Sequence, residues 1–371
     1  MPKAILHDEN ISDPQYIRIV DNVVIRKTPR DIRDFVRRWT QNDVDPDREG
    51  QVLRESSNII ILQGIRNMVL TDVKLSSAYL AALPEANPDF TTSGPDRQRF
   101  FFRSGVVTVS KQGIKYAHYR DLDDDTYCWK HNVIPRDYRE LQPFFRIWRM
   151  QDADGRPAVW EDGSPAYDIE ILDAKSSPFF GYLINSSRLH WRREIEDAFP
   201  DADQRREYMN LHRFDIAGPT LKPKEIQEQK RCLINKIFTI AYIAHGYKSP
   251  SRAWAPYLMD NRIAENSKSN GRSGKSFFFK LFEMMQMSIV KLSGRNDHLT
   301  DNPHIYDQVT RFTQILQIDD LSQRVQDGSF YDSITGDMTV NPKNNQSYTI
   351  PFAESPKFCF TTNFVPSDFD H

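Results

Sequence analysis

The chain has 371 residues, of which 39% are hydrophobic and 27% charged, with 49 Lys/Arg against 51 Asp/Glu. This mixture excludes a disordered polyelectrolyte, and the length suffices for a sizeable core in about two or three domains. The three cysteines, Cys128, Cys232 and Cys359, are far apart in sequence and odd in number, which speaks against a disulfide framework and fits a reducing compartment. The most apolar stretch, Cys232 to Ala244, carries Lys236 and falls short of the ~20 apolar residues of a membrane span. MPKAILHDEN lacks the apolar run of a signal peptide, so the expectation is a cytoplasmic protein with no membrane partner.

In chain order, Tyr16–Val20 and Val23–Arg26 flank the turn pair Asp21-Asn22 and predict a β-hairpin. Thr28-Pro29-Arg30-Asp31 then offers a side-chain cap, a proline at the first helical position and a carboxylate near the free N–H groups. Ile32, Phe35, Val36 and Trp39 repeat with helical spacing behind it, and a second helix is predicted over 48–70. From 97 to 168 the pattern is β-rich, with Phe100–Phe102, Val106–Val109 and Ile114–Ala117 forming a meander. Asp121, Asp123, Asp124 and Asp125 read as a solvated loop, and Cys128 with His131 as structural, since no second ligand pair accompanies them. Helix returns with Phe179 to Ile184, then with Trp191, Ile195 and Phe199. Pro223 opens another helix ending near Gly246, with Ile226, Leu233, Ile237, Ile240 and Ala244 as its buried side.

The segment with chemical content is Ser269-Asn270-Gly271-Arg272-Ser273-Gly274-Lys275-Ser276. It matches G-x-x-x-x-G-K-[ST] at its last three positions, with Ser269 in place of the first glycine. Gly271 and Gly274 allow the backbone to turn N–H groups around a phosphate. Lys275 would supply a point charge to the outer phosphates, and the Ser276 hydroxyl would ligate Mg²⁺. Trp254 to Met259 can form the preceding strand and an apolar helix follows, although the spacing from Met259 to Ser269 exceeds that of a tight strand-to-loop turn. The surroundings suit an anion: residues 221–280 hold 12 basic and four acidic side chains, whereas 281–371 hold six basic and 12 acidic ones.

Two further apolar runs end in polar groups. Gln314 to Asp320 delivers Asp319 to hold the metal and Asp320 to orient or deprotonate an attacking water. Lys357 to Asn363 ends in an amide suited to sensing a terminal phosphate. Between them, Met338-Thr-Val and Tyr348-Thr-Ile flank a turn carrying Lys343, which predicts a hairpin with a lysine at its tip.

This order of loop, acidic strand, hairpin and amide strand resembles superfamily 3 helicases, the hexameric AAA+ ATPases of small DNA viruses, phages and plasmids. Within them it is similar to the helicase part of phage and mobile-element primase-helicases. Phe101-Phe-Arg-Ser-Gly-Val-Val-Thr-Val and Phe180 to Trp191 resemble the segments that precede that ATPase. The resemblance implies an α/β fold with a P-loop AAA+-type core, ATP and Mg²⁺ as cofactors, Lys275, Asp320 and Asn363 as catalytic residues, and Ser269 to Ser276 as the nucleotide loop. It also implies Ser276 and Asp319 at the metal, Lys343 on single-stranded DNA, a homo-hexamer, and a primase or other replication proteins as partners.

Two features depart from the family. Ser269 replaces a glycine, and the arginine expected after the third motif to reach a neighbouring subunit's ATP has no counterpart between Asn363 and His371. The expected organisation is a hairpin and helical region over 1–95, a β-rich accessory region over 96–175, a helical region over 176–250, and an ATPase domain over 251–371 that is C-terminally incomplete. The expected function is ATP-driven translocation on single-stranded DNA in replication. The alternative is a DNA-binding, ring-assembling module that binds ATP and hydrolyses it poorly. A small-molecule P-loop kinase is disfavoured by the hairpin and by the lack of an arginine-rich lid.

Overall fold

The computed structural model describes residues 3–6, 15–41, 80, 83–122, 126–260 and 274–364, in two compact units, 1–138 and 139–371. The helix predicted over 48–70 lies outside the described residues, as do Asp123, Asp124 and Asp125.

In the first unit, β1 (Lys3–Leu6), β2 (Gln15–Val20) and β3 (Val23–Lys27) form an antiparallel set, to which β8 (Cys128–Trp129) adds in parallel. Asp21 and Asn22 both take positive φ, 48° and 62°, the backbone a two-residue hairpin turn requires. Helix α1 (Pro29–Gln41) is capped reciprocally: Thr28 N donates to Asp31 Oδ2 at 2.7 Å, and Asp31 N donates to Thr28 Oγ1 at 3.2 Å. The meander is β4 (Ser93–Gly94), β5 (Arg97–Phe102), β6 (Gly105–Ser110) and β7 (Gly113–Ala117), all antiparallel, with Phe101, Val106 and Cys128 buried together.

The second unit begins with the antiparallel pair β9 (Phe145–Arg149) and β10 (Tyr167–Ile171). Helix α2 (Pro178–Ser186) follows, with Ser177 Oγ accepting from Phe180 N and proline in the first turn. Around Arg192–Asp197 the predicted helix is a π-helical turn, with buried Glu194 bonded to Arg188 at 2.6 Å and to Tyr208 at 3.0 Å. Helices α3 (Ala202–Leu211) and α4 (Pro223–Ala244) come next.

A parallel sheet then runs in the order β11 (Tyr257–Met259), β16 (Lys357–Thr362), β13 (Ile315–Leu321), β12 (Ile289–Ser293). Two helical turns, α5 (Lys275–Phe278) and α6 (Lys280–Met284), lie between β11 and β12; a third, α7 (Tyr331–Thr335), precedes the antiparallel hairpin β14 (Met338–Val340) and β15 (Tyr348–Ile350).

Alternate residues of the central strands face two cores. Ile315 and Cys359 join Phe180, Leu183, Leu233, Ile243, Phe278, Phe279 and Phe282 on one side. On the other, Leu316, Ile318, Phe358 and Phe360 join Phe330, Met338, Val340 and Ile350. Such double coverage explains why β13 and β16 read as nearly continuous apolar runs. It also departs from the expected division near residue 250: α2 and α4 share a core with the sheet, because their apolar faces are covered by Phe278, Phe279 and Phe282. The 96–175 region, expected as one piece, is split after Tyr138.

The chain is thus a mixed α/β protein with a four-stranded parallel sheet and several other sheets that are antiparallel or mixed. Among the described residues no helix is long and apolar enough to cross a membrane. The apolar stretch from Cys232 lies inside α4, and Lys236 donates to Ser186 O at 2.5 Å.

Candidate functional site

Parallel strands bring their C-terminal ends to one edge, and ligands of open α/β sheets bind outside that edge. Met259 pairs with Thr362, so Asp260 and Asn363 leave the sheet side by side; Ser293 pairs with Asp319 on the other side of β13. The polar strand ends seen in the sequence therefore converge.

Lys275 reaches this edge from the start of α5. Its Nζ donates to Asp260 Oδ2 at 2.7 Å and to Asn363 Oδ1 at 2.5 Å, with the Lys275 and Asp260 side chains only 12% and 8% exposed. Next to it, Ser276 Oγ donates to Asp319 Oδ1 at 3.3 Å, and the same oxygen accepts from Thr361 Oγ1 at 2.7 Å. Thr361 in turn accepts from Asp320 N at 2.9 Å, so β16 fixes both acids of β13.

Gly274, which precedes the lysine, has φ +85°, a conformation an L side chain rarely adopts, and a Cβ there would come within 3.0 Å of the Tyr182 ring. Tyr182 Oη donates to Gly274 O at 2.8 Å, and its ring meets Phe277 edge-on at 4.8 Å. Burial raises the Tyr182 phenol pKa, which keeps its proton available for that bond.

Asp320 has φ +54° where the pairing of β13 with β16 shifts register between Ile318 and Leu321. The strand does not stop at the acids but continues through Leu321. The shift turns the Asp320 carboxylate to Arg295, whose Nη2 and Nε lie 2.6 and 3.2 Å from Oδ2. This pairing raises the guanidinium pKa further. Gly294 places Arg295: its N donates to Asp319 O at 2.7 Å, and a Cβ there would lie 2.6 Å from Leu321 Cα.

Of the residues singled out by sequence, Gly274, Lys275, Ser276, Asp319, Asp320 and Asn363 thus gather at one sheet edge. Ser269, Asn270, Gly271, Arg272 and Ser273 lie outside the described residues. Lys343 is exposed in the turn between β14 and β15. Sequence reasoning missed Asp260, Thr361, Tyr182 and Arg295. Asp260 had a usable signal, an acid closing an apolar strand as Asp319 does; Tyr182 and Arg295 had none.

Among the described residues no group of three or more His, Cys, Asp or Glu side chains forms a metal cluster. The oxygen pair of Ser276 and Asp319 is a hard donor set, suited to a Mg²⁺ that keeps most of its waters.

No protein-family model matches the sequence, and no curated protein does. Among solved structures the chain is similar to one described as "The A form apo structure of NrS-1 C terminal region-CTR", at 12% identity and a TM-score of 0.25. The match covers 73% of this chain and 55% of the length of that one. A superposition this loose defines neither fold nor activity.

Proposed function

We propose that the chain carries a P-loop ATPase core of the AAA+ type and acts as a superfamily 3 DNA helicase in phage or mobile-element replication. One observation carries the reading: Ser276 bonded to Asp319 beside Lys275 bonded to Asn363, so that motifs from three distant segments share one sheet edge. An ammonium, a hydroxyl, a carboxylate and an amide focused there form a set for a polyphosphate and its cation.

In this reading Lys275 neutralises the outer phosphates and Asn363 hydrogen-bonds the terminal one. Ser276 and Asp319 would hold Mg²⁺, which would supply positive charge to offset that of the phosphates. Asp320 would orient the attacking water once released from Arg295. Lys343, free of the sheet at the hairpin tip, would follow the phosphates of single-stranded DNA. Assembly into a homo-hexamer and partnership with a primase or other replication proteins belong to the same proposal.

A second reading has its own support. With Asp320 Oδ2 paired to Arg295, the carboxylate is a weaker base toward water, which favours a module that binds ATP and turns it over slowly. Titrating Mg·ATP by calorimetry into this chain and its Lys275→Ala variant tests the site. Binding that disappears in the variant supports a phosphate loop, and absence of binding in both refutes it. Steady-state hydrolysis with and without single-stranded DNA then separates the readings: DNA-stimulated turnover supports the helicase, and near-zero turnover the binding module.

A further inference from the structure

The contact with no counterpart in the expected machinery is that between Lys275 and Asp260. Asp260 is the first residue after β11, and its carboxylate oxygen lies 2.7 Å from the Lys275 ammonium. Both side chains are largely shielded from water, which strengthens the pair relative to a surface ion pair. An ammonium has three donors, and Asp260 and Asn363 already take two of them.

A phosphate arriving at Lys275 meets two costs. It must share the ammonium with an acceptor that already carries a full negative charge, or displace that acceptor, and it brings its own negative charge close to that carboxylate. Like charges converging on one ammonium repel, more strongly where water is excluded. Asn363 imposes no such cost, because its amide is neutral.

Resting on the phosphate-site reading above, we infer that Asp260 is an internal competitor for Lys275. It holds the lysine in place while the site is empty and lowers the affinity of the site for nucleotide. Asp260 is thus a positioning residue that sets nucleotide affinity, with phosphate anions as the ligand class it opposes. Two opposite effects follow from one substitution. Removing the charge weakens the ligand-free protein, because the lysine loses its ion-pair partner, and strengthens nucleotide binding, because the competitor is gone. A residue serving stability alone would change the first and not improve the second.

The test is calorimetric titration of Mg·ATP into wild type, Asp260→Asn, Asp260→Ser and Lys275→Ala, with thermal melting of each ligand-free protein. The expected result is lower melting temperatures for the two Asp260 variants together with affinity higher by roughly tenfold or more, the scale of one charge-assisted hydrogen bond. Wild-type binding that is lost in Lys275→Ala but is unchanged or weaker in both Asp260 variants overturns the inference and leaves the phosphate site standing. Failure of both Asp260 variants to fold would make the pair structural and overturn it as well. Absence of binding in all four proteins overturns the inference together with the reading on which it rests.

Discussion

The two ends of β16 hold lysines in different ways. At the N-terminal end Lys357 is buried, donating to Tyr242 O and His245 O at 2.5 Å each, with its ammonium 4.0 Å over the Tyr242 ring. Lys248 beside it donates to Ser355 Oγ at 2.6 Å and lies 4.2 Å over the Phe352 ring. The hydrogen bonds of both go to neutral oxygens, and those of Lys357 satisfy carbonyls at the end of α4. At the C-terminal end Lys275 faces a carboxylate and an amide. Neutral acceptors make a lysine a packing clamp, whereas a carboxylate partner holds a lysine for which an incoming anion can compete. One strand thus joins a packing device to a site with chemical capacity.

The strand between the two ends should dominate stability. Phe360 is fully buried and stacks on Tyr257 at 4.5 Å, so Phe360→Ala should lower unfolding free energy by about 3–5 kcal/mol in denaturant titration. At the C-terminal end, Lys275→Ala should weaken Mg·ATP binding by about 1.5–3 kcal/mol, the value of a charge-assisted contact, measured by calorimetry.

The N-terminal end should be visible through pH instead. Burial pushes both Lys248 and Lys357 down from 10.5 to about 8. Between about 8 and 10.5 the unfolded chain therefore binds more protons at these two lysines than the folded one, a contribution that makes stability rise with pH and that the buried Cys128 and Cys359 thiols, raised by burial, oppose. Lys248→Met and Lys357→Met should each flatten that rise in denaturation curves taken at pH 7.5, 9 and 10.5. Met variants whose pH profiles match that of the wild type would contradict the clamp. The smallest effect on the folded state belongs to Lys343→Ala. As an exposed turn residue it should leave stability within about 0.5 kcal/mol and nucleotide affinity unchanged, while abolishing stimulation of hydrolysis by single-stranded DNA. Weakened nucleotide binding in that variant would remove Lys343 from the proposed DNA contact.

Much of the local structure was legible in the residues. The Asp21-Asn22 turn, the Thr28 cap, the meander and the hairpin around Lys343 each carry short-range signals that depend on neighbours a few positions away. The runs ending at Asp319 and Asn363 were readable because strands buried on both faces lose their alternation. The break in β13 was not readable, since nothing in Ile318-Asp319-Asp320-Leu321 announces a positive φ at Asp320. Nor was the shared core of α4 and the sheet, because an apolar helix face shows that it needs cover but not what covers it.

The sequence by itself determined the elements and the types of polar group at their ends, through turn chemistry, capping and hydrophobic periodicity. Only the tertiary structure decided which of those groups meet. β11 lies beside β16, almost a hundred residues away in the chain, and that adjacency brings Asp260 and Asn363 to the same ammonium. Such a meeting depends on strand order in a parallel sheet, which long crossover connections leave open and which is selected by how the two faces of the sheet are buried.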